Sequence, residues 1–238
     1  IPTPDRLPAV IEGILRGISI DEIHALTKID LWFLQELHGL YHIDMKEMHG
    51  QSLENMTATT FKWFKSQGFS DQHLATQLNT TEKDIRAKRQ ECGVHPVYKR
   101  VDTCAGEFES FTPYLYSTYA DENESTAFGQ DSIVVIGNGP NRIGQGIEFD
   151  YCCCHAAMAI QDLGYKAIMV NCNPETVSTD YDTSDKLYFE PITVEHIQNI
   201  LDHENPKGVV IQFGGQTPLK LSHQISPILG TEADVIDL

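Results

Sequence analysis

Three glycine-rich stretches hold most of the polar side chains that could do chemistry. The first is Gly137-Asn-Gly-Pro-Asn-Arg-Ile-Gly-Gln-Gly146, followed by Ile147-Glu-Phe-Asp150. The second contains Asn171-Cys-Asn-Pro-Glu-Thr176 and Ser178-Thr-Asp-Tyr-Asp182, and the third is Gly214-Gly-Gln-Thr217. Glycine at so many positions permits positive φ and close backbone approach to a ligand. Arg142 and Gln216 could donate hydrogen bonds to the oxygens of a small anion, and a helix N-terminus at 144–146 would add backbone N–H groups. Two familiar phosphate loops fail on specific residues. A dinucleotide fingerprint would need glycine where Arg142 stands, and an acid for the ribose where the second strand ends in Asn171. A P-loop would need a lysine that the run from Gly139 to Gly146 lacks.

Each of these residues also has a purely structural use. Glu148 suits a helix N-terminus through the macrodipole. Asn173 and Thr176 suit turns, and Asp180 and Asp182 suit a solvated loop. His38 and His42 stand at i, i+4 spacing with His49 nearby, but no third ligand comes at a firm spacing for a metal. Cys152, Cys153 and Cys154 must face different ways on a helix, which favours small buried hydrophobes over a reactive thiolate. With six cysteines and no C-x-x-C pair, reduced thiols in a cytosolic compartment are expected rather than a disulfide framework.

The elements that must position the three loops follow from hydrophobic pattern. Ile133–Ile136, Ala167–Val170, Leu187–Phe189 and Val209–Phe213 read as buried strands, alternating with helices over 146–163 and 194–201. Such alternation predicts a parallel sheet with helices on both faces. Ligands then sit at the carboxyl ends of the strands, where all three loops fall.

Residues before about 100 read as short helices. Ser19-Ile-Asp-Glu22 and Thr81-Glu-Lys-Asp84 are capping boxes, and Gly17, Gly68 and Gly93 are placed to end helices. Ile23, Leu26, Leu31, Phe33, Leu34 and Leu37 supply apolar faces, and Phe61, Trp63 and Phe64 follow. A weak echo relates Gly17-Ile-Ser19 to Gly68-Phe-Ser70, each leading into a pair of helices. That arrangement raises a helix-turn-helix, with Lys83, Arg86, Lys88 and Arg89 on the candidate recognition helix. The acids Glu82, Asp84 and Glu91 dilute those bases. Residues 103–130, with the aromatics Phe108, Phe111, Tyr114, Tyr116 and Tyr119 and the run Asp121-Glu-Asn-Glu-Ser125, read as a connector.

Charge divides at the same place. Residues 1–100 carry 13 acids and 12 bases, a net of −1, whereas residues 101–238 carry 21 acids and five bases, a net of −16. The total of −17 over 238 residues argues against a nucleic-acid footprint and a polybasic membrane anchor. No apolar run is long enough for a membrane-spanning helix. The start at Ile1, without methionine or a signal peptide, suggests a piece of a longer chain.

Four runs carry a resemblance to a known family. They are Pro140-Asn-Arg-Ile-Gly-Gln-Gly-Ile-Glu-Phe-Asp-Tyr151, the run from Asn171 through Asn-Pro-Glu-Thr to Asp185, Gly214-Gly-Gln-Thr-Pro218, and His95-Pro-Val-Tyr-Lys-Arg-Val-Asp-Thr-Cys104. All resemble the large subunit of carbamoyl-phosphate synthetase, and the resemblance covers essentially the whole chain. It implies a helical oligomerisation domain over 1–102, the connector over 103–130, and over 131–238 an α/β domain. The last is a Rossmann-like pre-ATP-grasp domain opening the C-terminal synthetase half, cut before its ATP-grasp domain. The family makes carbamoyl phosphate from bicarbonate, glutamine-derived ammonia and two ATP. ATP and Mg²⁺ belong to ATP-grasp domains outside these residues, so the resemblance implies no catalytic, cofactor-binding or metal residue here. Gly146, Glu148 and Glu175 match family positions along an internal carbamate passage. Arg142, Asn173, Thr176 and Gln216 are expected to complete that wall. The implied partners are a glutaminase small subunit and other large subunits, with no nucleic acid and no membrane, in the cytoplasm. An NAD-type oxidoreductase module and a DNA-binding adaptor are the alternatives. One departure is that Ser226-Pro227 comes several residues too soon, as though a loop were missing between them.

Overall fold

The computed structural model describes residues 2–140 and 142–225, together with the backbone of Asp234–Val235. The expected break between Ser226 and Pro227 lies outside the described residues. The chain divides into two units, Ile1–Val94 and His95–Leu238.

The first unit is helical: α1 (Arg6–Leu15), α2 (Ile20–Thr27), α3 (Leu31–His42), α4 (Ala58–Ser66), α5 (Asp71–Gln77) and α6 (Glu82–Glu91). The helices start where hydroxyl side chains cap them. Ser19 Oγ accepts the Glu22 N–H, Ser70 Oγ the His73 N–H and Thr81 Oγ1 the Asp84 N–H, at 3.0–3.2 Å. Val10, Ile23 and Leu34 form the core of the first three helices, with Ile14, Ile20, Ile29 and Leu37 against it. Leu26 and Phe33, expected to help form that core, are 73% and 57% exposed, and Trp32 beside Phe33 is 58% exposed. Three short helices bury one stripe each, and these side chains lie off that stripe.

Helix α6 makes a poor reader of DNA. Arg86 and Arg89 are buried. Arg89 is held by Asp71 at 2.8 Å and by the Val94 carbonyl at 2.8 Å, and Lys88 pairs with Glu91. The Arg89 guanidinium locks α6 to α5, and Arg86 is buried, so neither is displayed to phosphates.

Among the described residues the second unit forms a seven-stranded sheet in the order β1-β2-β5-β4-β3-β6-β7. Its elements are β1 (Val97–Arg100), β2 (Tyr114–Thr118), β3 (Ser132–Ile136), α7 (Glu148–Asp162), β4 (Lys166–Asn171), β5 (Lys186–Phe189), α8 (Val194–Glu204), β6 (Gly208–Val210), α9 (Gln216–Leu219), α10 (Ser222–Ile225) and β7 (Asp234–Val235). Among the described residues only β1 and β2 pair antiparallel, and the other pairings are parallel. Strand alternation sorts the core onto two faces. Ile133, Val135, Ala167 and Met169 pack with Cys153, Ala157 and Ile160 of α7. Val134, Ile136, Ile168 and Val170 pack with Ile197, Ile200 and Leu201 of α8 and Ile225 of α10. Helices therefore cover both faces, as the apolar strands predict.

Two stretches differ from expectation. Residues 97–100 and 114–118, assigned from sequence to the helical region and the connector, are strands of this sheet, and the units part between Val94 and His95. Tyr98 brings β1 into the core, 1% exposed, with its ring 4.9 Å from those of Tyr188 and His203. A four-residue strand ending in Lys99-Arg100 is too short for alternation to announce it. The strand expected over Val209–Phe213 ends at Val210, and Gln212–Gly214 form a 3₁₀ turn. In this turn Gly214 passes against the Gly137 carbonyl, which a Cβ would approach to 2.6 Å, so the position admits only glycine.

Candidate functional site

Strands β4, β3 and β6 are adjacent and parallel, so the three loops leaving their carboxyl ends share one edge. Asn171, the last residue of β4 and fully buried, organises that edge. Its Oδ1 accepts the N–H groups of Gly139 at 3.1 Å, Cys172 at 2.9 Å and Asn173 at 3.4 Å. Its Nδ2 donates to Ser178 Oγ at 3.2 Å and to Asn138 Oδ1 at 3.4 Å. An aspartate could not donate, which explains an amide where a ribose-binding acid is absent. Gly137 is required beneath it, because a Cβ there would stand 2.6 Å from the Asn171 amide.

The second loop folds on its own polar groups. Asn173 Oδ1 accepts the Glu175 N–H at 3.0 Å, a turn in which Asn173 is buried while Glu175 projects outward. Thr179 Oγ1 donates to the carbonyls of Asn173 and Thr176, at 3.0 and 2.8 Å. Thr176 thus contributes its backbone to the turn. The first and third loops meet where Arg142 Nη2 donates to Thr217 Oγ1 at 3.1 Å.

Helix α7 begins at Glu148, two residues later than its expected start at Gly146, and among the described residues no side chain caps it. Glu148 folds back over Gly146, where a Cβ would collide with its carboxylate. One turn further in, Asp150 is 4% exposed and its Oδ2 accepts the Ser178 N–H at 3.1 Å. Its Oδ1 and the Nδ2 of Asn138 are buried without a partner among the described residues.

Arg142, Gly146, Glu148, Glu175 and Gln216 are all exposed on this edge. Asn173, Glu175 and Thr176 are brought onto one turn, and Glu148 onto Gly146. Among the described residues no side-chain hydrogen bond or ion pair joins Glu148 to Glu175, or either to Gln216. Asn138 and Ser178 lie within two of the three stretches, but nothing in their spacing marks them, and only the amide ending a buried strand hints at their network.

The donor set does not suit a nucleotide. Arg142 is the single base on these loops, and among the described residues no cluster of His, Cys, Asp or Glu is placed for a metal ion. No step through ATP or Mg²⁺ is therefore assigned to these residues. The cysteines beside the edge are poor nucleophiles. Burial, with the Asp150 charge nearby, raises the Cys153 thiol far above its ordinary value and pushes Cys154 up to about 11. They pack as small hydrophobes on α7.

Comparison with known proteins agrees with this architecture. Residues 1–93 match the family described as the carbamoyl-phosphate synthetase large chain oligomerisation domain, and residues 129–238 the carbamoyl phosphate synthase preATP-grasp domain. Among similar curated proteins, the arginine-specific chloroplastic large chain of Arabidopsis thaliana is 52% identical over 96% of this chain and 19% of its own length. The carbamoyl phosphate synthase large chain of Synechocystis is 53% identical over 97% of this chain and 21% of its own. That of Archaeoglobus fulgidus is 50% identical over 100% and 23%. These matches support neither an NAD-type module nor a DNA-binding adaptor. The chain spans about a fifth of the length of the relatives it matches, and it belongs to the carbamoyl phosphate synthase large-chain family.

Proposed function

We propose that this chain works within a carbamoyl-phosphate-forming enzyme. Its helical unit would serve subunit assembly, and its α/β unit would wall the route by which carbamate reaches the site of its phosphorylation. The observation that carries the reading is the carboxyl edge of the sheet. Glu148 and Glu175 project there without a counter-ion among the described residues, beside Gly146 and the single base Arg142. An acidic wall with one guanidinium holds a small anion weakly, which suits transit better than storage. Asn173 and Thr176 keep the Glu175 turn in shape, and Gln216 adds an amide that can donate to a passing carboxylate-like group or accept from its NH₂. ATP and Mg²⁺ would be bound by ATP-grasp domains elsewhere in the longer enzyme, and ammonia would come from a glutaminase partner. The exposed Leu26, Trp32 and Phe33 fit self-association through the helical unit. Six free thiols suit a reducing compartment such as the cytoplasm.

The test uses the full-length large chain supplied with bicarbonate, ammonia and MgATP. Glu148→Gln and Glu175→Gln should raise the ratio of ATP hydrolysed to carbamoyl phosphate formed, as carbamate is lost before phosphorylation. An unchanged ratio in both variants would remove the passage reading.

A further inference from the structure

We infer that Asp150 and Ser178 are positioning residues of this edge, fixing the start of α7 against the loop that carries Glu175. The inference rests on the passage reading above and assigns what keeps that wall in register. Among the described residues Glu148 and Glu175 share no direct bond, yet a chain of hydrogen bonds links the segments that bear them. Asp150, two residues after Glu148, accepts the Ser178 N–H at 3.1 Å. Ser178 Oγ accepts from Asn171 Nδ2 at 3.2 Å, and Asn171 Oδ1 accepts from Gly139 and Cys172 at 3.1 and 2.9 Å. Thr179, next to Ser178, donates to the Asn173 carbonyl at 3.0 Å, and Asn173 Oδ1 accepts the Glu175 N–H at 3.0 Å. Through this chain the first turn of α7, the Gly137–Gly139 segment and the Glu175 turn share one set of buried bonds.

The chemistry of Asp150 argues for more than packing. It is 4% exposed, and its Oδ1 is buried without a partner among the described residues. A carboxylate left half-satisfied in a core lowers stability. The helix macrodipole does not account for it, because an exposed acid in the first turn gains that benefit without burial. Asp150 is better explained by the bond it accepts from Ser178, which indexes one candidate wall segment to the other. The network polarises along its length, so losing one member loosens the rest.

The experiment again uses the full-length large chain with bicarbonate, ammonia and MgATP, and reads ATP hydrolysed per carbamoyl phosphate formed. Asp150→Ala removes the acceptor, and Ser178→Ala removes only the Oγ link while keeping the backbone N–H. Each should raise the ratio by about two- to tenfold, the factor one hydrogen bond of ordinary strength sets. Asp150→Asn retains an acceptor oxygen and should restore the ratio toward that of the unaltered chain. If Asp150→Ala and Ser178→Ala lower hydrolysis and synthesis together, with the ratio unmoved, the role is merely structural and the inference falls. It falls equally if Asp150→Asn uncouples as much as Asp150→Ala, since charge would then be what matters. Should Glu148→Gln and Glu175→Gln uncouple while the Asp150 and Ser178 variants do not, the passage reading stands without this inference. If none of the variants uncouples, both are wrong.

Discussion

Single atoms decide the shape of the loop edge, and glycine is where that is easiest to test. Gly214 lies against backbone: a Cβ there would come within 2.6 Å of the Gly137 carbonyl and 2.6 Å of the Pro218 ring. Neither obstacle is the far end of a flexible side chain, so the strand ends of β3 and β6 would have to separate. Gly144 has the opposite character, with open space around it and a φ of 85°. Alanine at 144 meets only the left-handed conformational penalty, about 1–2 kcal/mol. Gly214→Ala is expected to cost more than Gly144→Ala, about 2–4 kcal/mol, because overpacking adds to backbone displacement. Thermal unfolding of the two variants side by side checks this. A smaller loss for Gly214→Ala than for Gly144→Ala would mean that the two strand ends are looser than their packing indicates.

At the scale of elements, the helical unit is held by a charge cluster as well as by an apolar core. Asp71 on α5 is 1% exposed and pairs with Lys65 of α4 at 3.0 Å and Arg89 of α6 at 2.8 Å. Burial raises the Asp71 carboxyl, but the Arg89 hydrogen bonds and the Lys65 and Arg89 charges outweigh it, leaving the group below its usual 3.8. A depressed folded value means the carboxylate stabilises the unit above the ordinary carboxylate range. That contribution is lost as pH falls below about 4 and through the folded value. Asp71→Asn removes the carboxylate that the buried Lys65 and Arg89 share and should destabilise the unit at pH 7 by about 3–5 kcal/mol. The deficit relative to the unaltered chain should shrink as both are taken into acid. Trp32 and Trp63 are the only tryptophans and both lie in this unit, so fluorescence-monitored denaturation reads it selectively. A deficit constant from pH 7 to acid would contradict the assignment. The cluster also marks a limit of sequence reading. Arg89 reads as one of several bases on a candidate DNA helix, and only the fold shows that it faces Asp71. By contrast the caps at Ser19 and Thr81, the parallel strands and the loop-bearing edge are legible, because hydroxyl spacing and continuous apolar runs are local signals. β1, the early end of β6 and the Asn171–Ser178–Asp150 chain are not, since each depends on residues distant in sequence. The turn at Asn173 is legible too, as an Asn followed by proline and an outward acid is local chemistry.

For the whole molecule, the charge excess follows the division of the fold. Residues 1–94 carry 13 acids and 10 bases, a net of −3, whereas residues 95–238 carry 21 acids and seven bases, a net of −14. Moving β1 into the α/β unit transfers Lys99 and Arg100 with it, yet that unit remains strongly acidic. Some acids are paired within it, as in Lys166–Asp185 at 2.7 Å and Lys186–Glu204 at 2.6 Å. The balance of its carboxylates repel one another, a self-repulsion that opposes the compact state and is screened by salt. Raising ionic strength from about 0.01 M to about 0.15 M shortens the screening length from about 30 Å to about 8 Å. The α/β unit should gain stability over that range, on the order of 1 kcal/mol or about 2–4 °C in midpoint. The helical unit, close to neutral, should move less. Calorimetry at the two ionic strengths reads both transitions, and tryptophan fluorescence identifies the helical one. If the two midpoints shift equally, the uneven charge is already compensated within the α/β unit. A larger shift there would identify its acidic surface as the source of the repulsion, one that a cationic neighbour would relieve as salt does.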